Sequence, residues 1–147
     1  MQKKMSELES IQLEQELLTA RKMQLLTPEL TDLNILSLLY VWYKEYNNRR
    51  NCPSRDDSVM QRRKFIIIAI TLYSPITLTG GKLVAGLRDK LTEVLELRSP
   101  SIISNLSSDI LFYYHQYTSF RRDVTNIYYH LMQRLEWYKK QQEITFQ

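Results

Sequence analysis

Apolar residues recur at helical spacing through nearly the whole chain, with little punctuation between the runs. From Met5 to Leu26, Leu8, Ile11, Leu18 and Met23 fall near one face, and Leu13, Leu17, Leu25 and Leu26 widen it, the period of an amphipathic helix. Its polar side is mixed in sign, with Glu7, Glu9, Glu14 and Glu16 against Arg21 and Lys22. Such a helix either packs on the rest of the chain, the reading favoured from the residues, or pairs with a second copy or a protein partner. Thr27-Pro28-Glu29 then predicts a fresh start, because Thr27 can cap open backbone N–H groups and Pro28 needs no partner at a first helical position. This second helix should run to about Tyr46 and bury Leu30, Leu33, Leu36, Leu39 and part of Tyr40, Trp42 and Tyr43.

Asn47 to Ser58 is polar and holds Pro53, so it reads as a loop. Val59 to Tyr73 predicts a third helix that becomes almost wholly apolar through Phe65-Ile66-Ile67-Ile68-Ala69-Ile70. An isoleucine run by itself suits a strand; the flank Met60-Gln61-Arg62-Arg63 and the missing alternation favour a buried central helix. Ser74-Pro75 stops it, and Thr79-Gly80-Gly81 supplies a turn. Lys82 to Leu97 returns to helical period, Arg98-Ser99-Pro100 breaks it, and Ser99 or Ser101 can cap a helix from Ser101 to Tyr117. After a corner at Thr118-Ser119, a last helix runs from Phe120 to about Gln141, with Val124, Ile127, Tyr128, Leu131 and Leu135 inward. The expected fold is all-α: one compact multi-helix domain over 1–147, with 1–46 an N-terminal helical extension or oligomerisation region and 59–141 a helix-turn-helix-like core.

Three glycines and four prolines in 147 residues agree with few tight turns. The formal charge of +4 is local, since Arg49, Arg50, Arg55, Arg62, Arg63 and Lys64 against Asp56 and Asp57 already supply it. A basic patch of this kind favours nucleic acid or an anionic surface, although a solvated face also carries such charge. The single Cys52 excludes an intramolecular disulfide and a multi-cysteine metal site, as in a reducing cytosol. The first ten residues alternate Lys and Glu without an apolar stretch, and no segment approaches about 18 uninterrupted apolar residues. A cytoplasmic protein without a membrane span is the expectation.

The pair of helices around Arg98 carries the most informative chemistry. A helix-turn-helix places its second helix in the major groove at an angle set by the first. Ser101, Ser104, Asn105 and Ser108 fall on the less apolar side of that second helix, where short hydroxyls and an amide permit close approach to base edges. Arg98 stands at the helix start, suited to a phosphate. Further phosphate candidates are Arg49, Arg50, Arg62, Arg63 and Lys64, and the pair Arg121 and Arg122 beside Asp123. Nearby Tyr113, Tyr114, Tyr117, Tyr128 and Tyr129 read as packing residues rather than base-stacking platforms.

Catalytic chemistry finds no foothold. Cys52, His115 and His130 form no nucleophile–base set, and neither histidine has a second ligand at metal-binding spacing. Gly80-Gly81-Lys82 lacks the remainder of a phosphate-binding loop. No enzyme, metal or cofactor is expected.

From Arg62 to Glu136 the order of elements resembles the C-terminal DNA-binding domain of the bacterial replication initiator DnaA, a helix-turn-helix related in shape to Trp repressor. The Arg62-Arg63-Lys64 helix with its Ile-Ala-Ile-Thr-Leu-Tyr end is similar to that family's arginine-led helix. Arg98-Ser99-Pro100-Ser101-Ile102-Ile103 resembles, in position, the signature entering the recognition helix. Through this likeness Arg98 takes the place of the signature arginine, Ser101 that of the first threonine and Ile103 that of the inward valine. Ser99 and Pro100 replace an acid and a histidine, and Ile102 replaces the second threonine, departures that bear on recognition of the initiator's own DNA motif. The likeness covers about half the chain and implies no nucleotide-binding domain. The expected function is double-stranded DNA binding, as a regulator or accessory factor of a phage or mobile element. The alternative is a non-enzymatic adaptor or assembly protein of such an element.

Overall fold

A computed structural model describes residues 1–50 and 58–145, with the side chain of Ser58 left aside. Cys52, Pro53, Arg55, Asp56 and Asp57, which hold part of the expected basic loop, lie outside the described residues. The described residues form an all-α fold of helices α1 (Gln2–Leu26), α2 (Ile35–Arg50), α3 (Ser58–Tyr73), α4 (Leu87–Val94), α5 (Ser101–Gln116) and α6 (Thr118–Thr145), with a 3₁₀ turn at Pro75–Thr79.

The isoleucine run is helical and lies at the centre. Every residue from Lys64 to Ile70 is buried, as are Leu72 and Tyr73, so α3 has no solvent stripe and α2, α5 and α6 pack around it. Burial on all sides explains the missing amphipathic period. The small helix penalty of β-branched side chains is outweighed by about 1.5–3 kcal/mol for each large apolar side chain removed from water. Tyr43 of α2 stacks on Phe65 with ring centroids 5.4 Å apart, and its hydroxyl donates to the Gln61 carbonyl at 2.8 Å. On the opposite edge of α2, Trp42 meets Tyr138 of α6, and Arg134 lies over the Trp42 ring while donating to Glu45 at 2.6 Å.

Thr27 does not start a helix. Its hydroxyl donates back to the Met23 carbonyl at 2.9 Å and closes α1, while the N–H groups of Glu29 and Leu30 both donate to the Leu72 carbonyl at the end of α3. With those donors already satisfied by a distant helix end, α2 begins at Ile35, behind a turn in which Asp32 accepts from the Asn34 N–H and Tyr73 donates to the Asp32 carbonyl. At its other end α2 continues through Asn47 to Arg50, four residues that the polar composition assigned to a loop. The region standing apart from the body is therefore α1, and α2 with buried Leu36, Leu39, Trp42 and Tyr43 belongs to the core.

Packing of α1 against the rest of the chain is also corrected. None of its residues is buried, and among the described elements it touches the 3₁₀ turn. A helix of 25 residues, about 37 Å long, thus projects with Leu8, Leu13, Leu17, Leu18 and Leu25 exposed and Leu26 half-buried.

His130 of α6 stacks on Tyr46 of α2 at 4.3 Å between ring centroids. Burial, with added repulsion from Arg134, Arg49 and Arg50, holds its pKa below the usual histidine value. The unfolded chain therefore takes up a proton below about pH 6.5 that the folded chain resists, and stability falls with pH until the native ring also protonates. We expect urea midpoints to drop between about pH 7 and pH 5, and His130→Phe to flatten that segment. A slope unchanged by the substitution would exclude His130 as its source.

Candidate nucleic-acid interface

The helix pair that should position the site is tighter at one end and looser at the turn than its sequence suggests. Residues 82–86 are not helical, because the Val84 N–H donates to the buried Ser74 hydroxyl at 3.0 Å and Gly86 adopts φ +85°. A Cβ at Gly86 would also come within 2.9 Å of the Leu33 side-chain terminus, which can shift, so glycine is favoured there by its backbone conformation. α4 consequently spans Leu87–Val94 instead of Lys82–Leu97. It ends with the Leu97 N–H bonded to the Thr92 carbonyl and the Glu96 N–H to the Glu93 carbonyl. That pattern is a Schellman closure, with Glu96 at φ +54° where glycine is usual. Residues 95–100 thus separate the two helices, a longer link than the 3–4 residues typical of helix-turn-helix modules.

α5 begins at Ser101 as predicted, and Ser99 provides the acceptor at its start: the Ser101 N–H donates to the Ser99 hydroxyl at 3.3 Å. Ile103 and Ile110 face inward and are fully buried. Ser101, Ser104, Asn105 and Ser108 are all exposed, and at about 100° per residue they share one outward stripe. The same stripe continues through exposed Phe112 and His115, neither of which the sequence reading placed there. Asp109 is exposed to one side of it, about 100° from Ser108.

Cations reach this stripe from its neighbours, since α5 contains no Lys or Arg. Arg98 is exposed just before the helix. Arg88 of α4, absent from the sequence-derived candidates, donates to the Ser104 hydroxyl at 3.4 Å. It lines a cleft of about 400 Å³ together with Lys82, Asp89, Ser104 and Ser107. Its signal in the sequence was weak because Asp89 and Glu93 surround it; the crossing of α4 on α5 brings it to Ser104.

The other basic candidates gather elsewhere. Arg63 lies over the Tyr113 ring at 4.6 Å and Lys64 over Phe120 at 6.0 Å, which places the start of α3 beside the C-terminal end of α5 and the start of α6. Arg121 and Arg122 are exposed at that same end, about 22 Å along α5 from Ser101. The base candidates and Arg98 therefore stand toward the N-terminal end of α5, and Arg63, Lys64, Arg121 and Arg122 lie near its other end.

Two phosphate candidates are engaged within the fold. Lys64 is buried and its ammonium lies 2.9 Å from Asp123. Arg50 forms an ion pair with the same carboxylate, donates to Asn47 at 2.6 Å and covers the Tyr46 ring. Burial pushes the Asp123 carboxyl up, but hydrogen bonds and charge from Arg50 and Lys64 outweigh it and leave the pKa below the usual carboxylate value. These cations join α2, α3 and α6 through the Asp123 carboxylate. Arg49 is exposed at the end of α2, and Arg62 is half-buried near Tyr40.

The tyrosines divide similarly. Tyr113 is half-buried and stacks on exposed Tyr117 at 5.2 Å. The Tyr128 hydroxyl lies 3.3 Å from Glu29; burial first, and then that carboxylate, push its pKa up to about 12. Tyr129 remains exposed. His115 and His130 lie in separate settings, one on the α5 stripe and the other against Tyr46. Among the described residues no group of His, Cys, Asp or Glu could hold a metal ion, and no helix is long and apolar enough to cross a membrane. The chain matches no protein-family model, no curated protein and no solved structure.

Proposed function

We propose that the protein binds double-stranded DNA by laying the outward stripe of α5 into a major groove, without catalysis. The observation that carries this reading is the exposure of Ser101, Ser104, Asn105 and Ser108 together on one helix face, where a sealed stripe would have ended it. In this arrangement Arg98 and Arg88 hold phosphates at the N-terminal end of α5, and Arg121 and Arg122 hold the backbone at the other end. Asn105 has the donor and acceptor needed for an adenine edge, and exposed Phe112 offers an apolar contact for a thymine methyl. The resemblance of layout to the DnaA C-terminal domain supports the same choice of helix. A role in regulating or assisting a phage or mobile element belongs to this proposal.

Anisotropy titrations of mixed-sequence duplex over a salt series test it. We expect salt-sensitive binding, with Arg98→Ala/Arg121→Ala lowering affinity at least tenfold and reducing the log–log salt slope by about 2, near one unit per lost phosphate contact. Selection from random duplexes should then yield a site whose preference relaxes in Asn105→Ala. Affinity unchanged in the arginine double variant would defeat the assignment.

A non-enzymatic adaptor or assembly protein is the second reading, favoured by Phe112, 57% exposed in the middle of the same face. A large exposed aromatic is a common anchor for protein contacts. Phe112→Ala separates the two: an adaptor loses its partner, whereas DNA binding keeps its salt slope.

A further inference from the structure

We propose that α1 is a self-association element through which two copies of this chain join as an antiparallel helix pair. The proposal is independent of whether α5 meets DNA. Leu8, Ile11, Leu18 and Leu25 are each at least 50% exposed, although they line up along one side of the helix. With Gln15 and Lys22 they occupy positions 8, 11, 15, 18, 22 and 25, the alternating steps of three and four that form a coiled-coil seam. None of these side chains is covered by the chain's own body.

Charge selects both the occupant and its direction. In a parallel pair in register, Lys22 would face its own copy across the seam, and Glu14 and Arg21 on the flank would meet only Thr19 and Leu26. Reversing one helix removes the lysine–lysine contact. Leu8 then meets the partner's Leu25, Gln15 meets the partner's Leu18, and Lys22 extends past the partner's Ile11 with its ammonium free to reach water. On the flank Glu14 faces the partner's Arg21, twice by symmetry. Lys3 and Lys4 precede the four glutamates and Arg21 and Lys22 follow them, so direction is selected by the Glu14–Arg21 exchange on the flank and by the separation of the two Lys22 side chains. Antiparallel pairing also opposes the two helix dipoles.

The test uses the full chain carrying Cys52→Ser, so that introduced thiols are the only ones present. Sedimentation equilibrium from micromolar to millimolar concentration should show reversible dimers. Arg21→Glu should raise the dissociation constant about tenfold, and adding Glu14→Arg should restore it, because the exchanged charges again face each other. Oxidising a mixture of Leu8→Cys and Leu25→Cys proteins should yield chiefly the mixed disulfide. Since the body is built without the α1 leucines, the near-ultraviolet signal of buried Trp42 should stay constant and separate lost pairing from lost folding. A chain that remains monomeric throughout, position 8 linking to itself, or a double charge exchange that fails to restore dimers would each overturn the proposal.

Discussion

Asp123→Ala lowers the stability of the folded chain by about 3 kcal/mol, the low end for removal of one partner from a buried ion pair. The carboxylate sits between Arg50 and Lys64, whose side chains are 18% and 7% exposed, so its loss removes the carboxylate that both cations share at the α2–α3–α6 junction. Arg50 retains Asn47 and the Tyr46 ring, and the residual access to water keeps the loss below the upper range. Urea unfolding should show a lower midpoint at unchanged slope. Because the native Asp123 carboxyl titrates below its unfolded value, its contribution is complete above about pH 4 and disappears as acidification reaches the native pKa. Asp123→Ala should therefore lose less stability than the parent between pH 5 and strong acid, at about pH 2. A midpoint indistinguishable from the parent at neutral pH would mean that the network is only a surface ion pair, and would return Lys64 and Arg50 to the set of available cations.

Phe65→Ala should have the larger effect, about 3–5 kcal/mol. The ring is fully buried, edge-on to Tyr40 at 4.9 Å and stacked on Tyr43 at 5.4 Å. Truncation removes its transfer energy, leaves a cavity beside a central helix packed on all sides, and strips Tyr43 of its stacking partner. For a chain of this length the loss corresponds to a fall of about 10 °C or more in Tm. Phe65→Leu fills most of the volume and should cost under about 1.5 kcal/mol. Similar losses for both substitutions would contradict a tightly packed site. The same measurement bears on function, because α5 packs on α3 and holds its outward stripe only as firmly as that contact allows.

Local pattern made much of this fold legible. The apolar spacing from Ser101 to Tyr117 and from Phe120 to about Gln141 marked two helices, observed at Ser101–Gln116 and Thr118–Thr145, whose inward residues Ile103, Ile110, Val124, Ile127, Leu131 and Leu135 are buried. The polar stripe of α5 was legible for the same reason, since one face of a helix is determined by residue spacing alone. Thr27-Pro28 misled because a capping pattern records what a backbone can do locally; Glu29 and Leu30 instead found the Leu72 carbonyl, over forty residues away. The start of α4 was displaced by another distant contact, Ser74 to Val84. Lys64 read as surface charge because its counter-charge, Asp123, is distant in sequence and adjacent only after α3 and α6 pack.

Sequence alone determined the helical character of the chain, the buried central segment and the side of α5 that carries short polar groups, all consequences of periodicity within one segment. Tertiary structure decided which cations face outward, that Arg88 rather than Lys64 reaches the α5 stripe, and that α1 receives no cover from its own chain. Those outcomes depend on contacts between segments far apart in sequence, where burial and opposite charge select the partners and no local spacing records the choice.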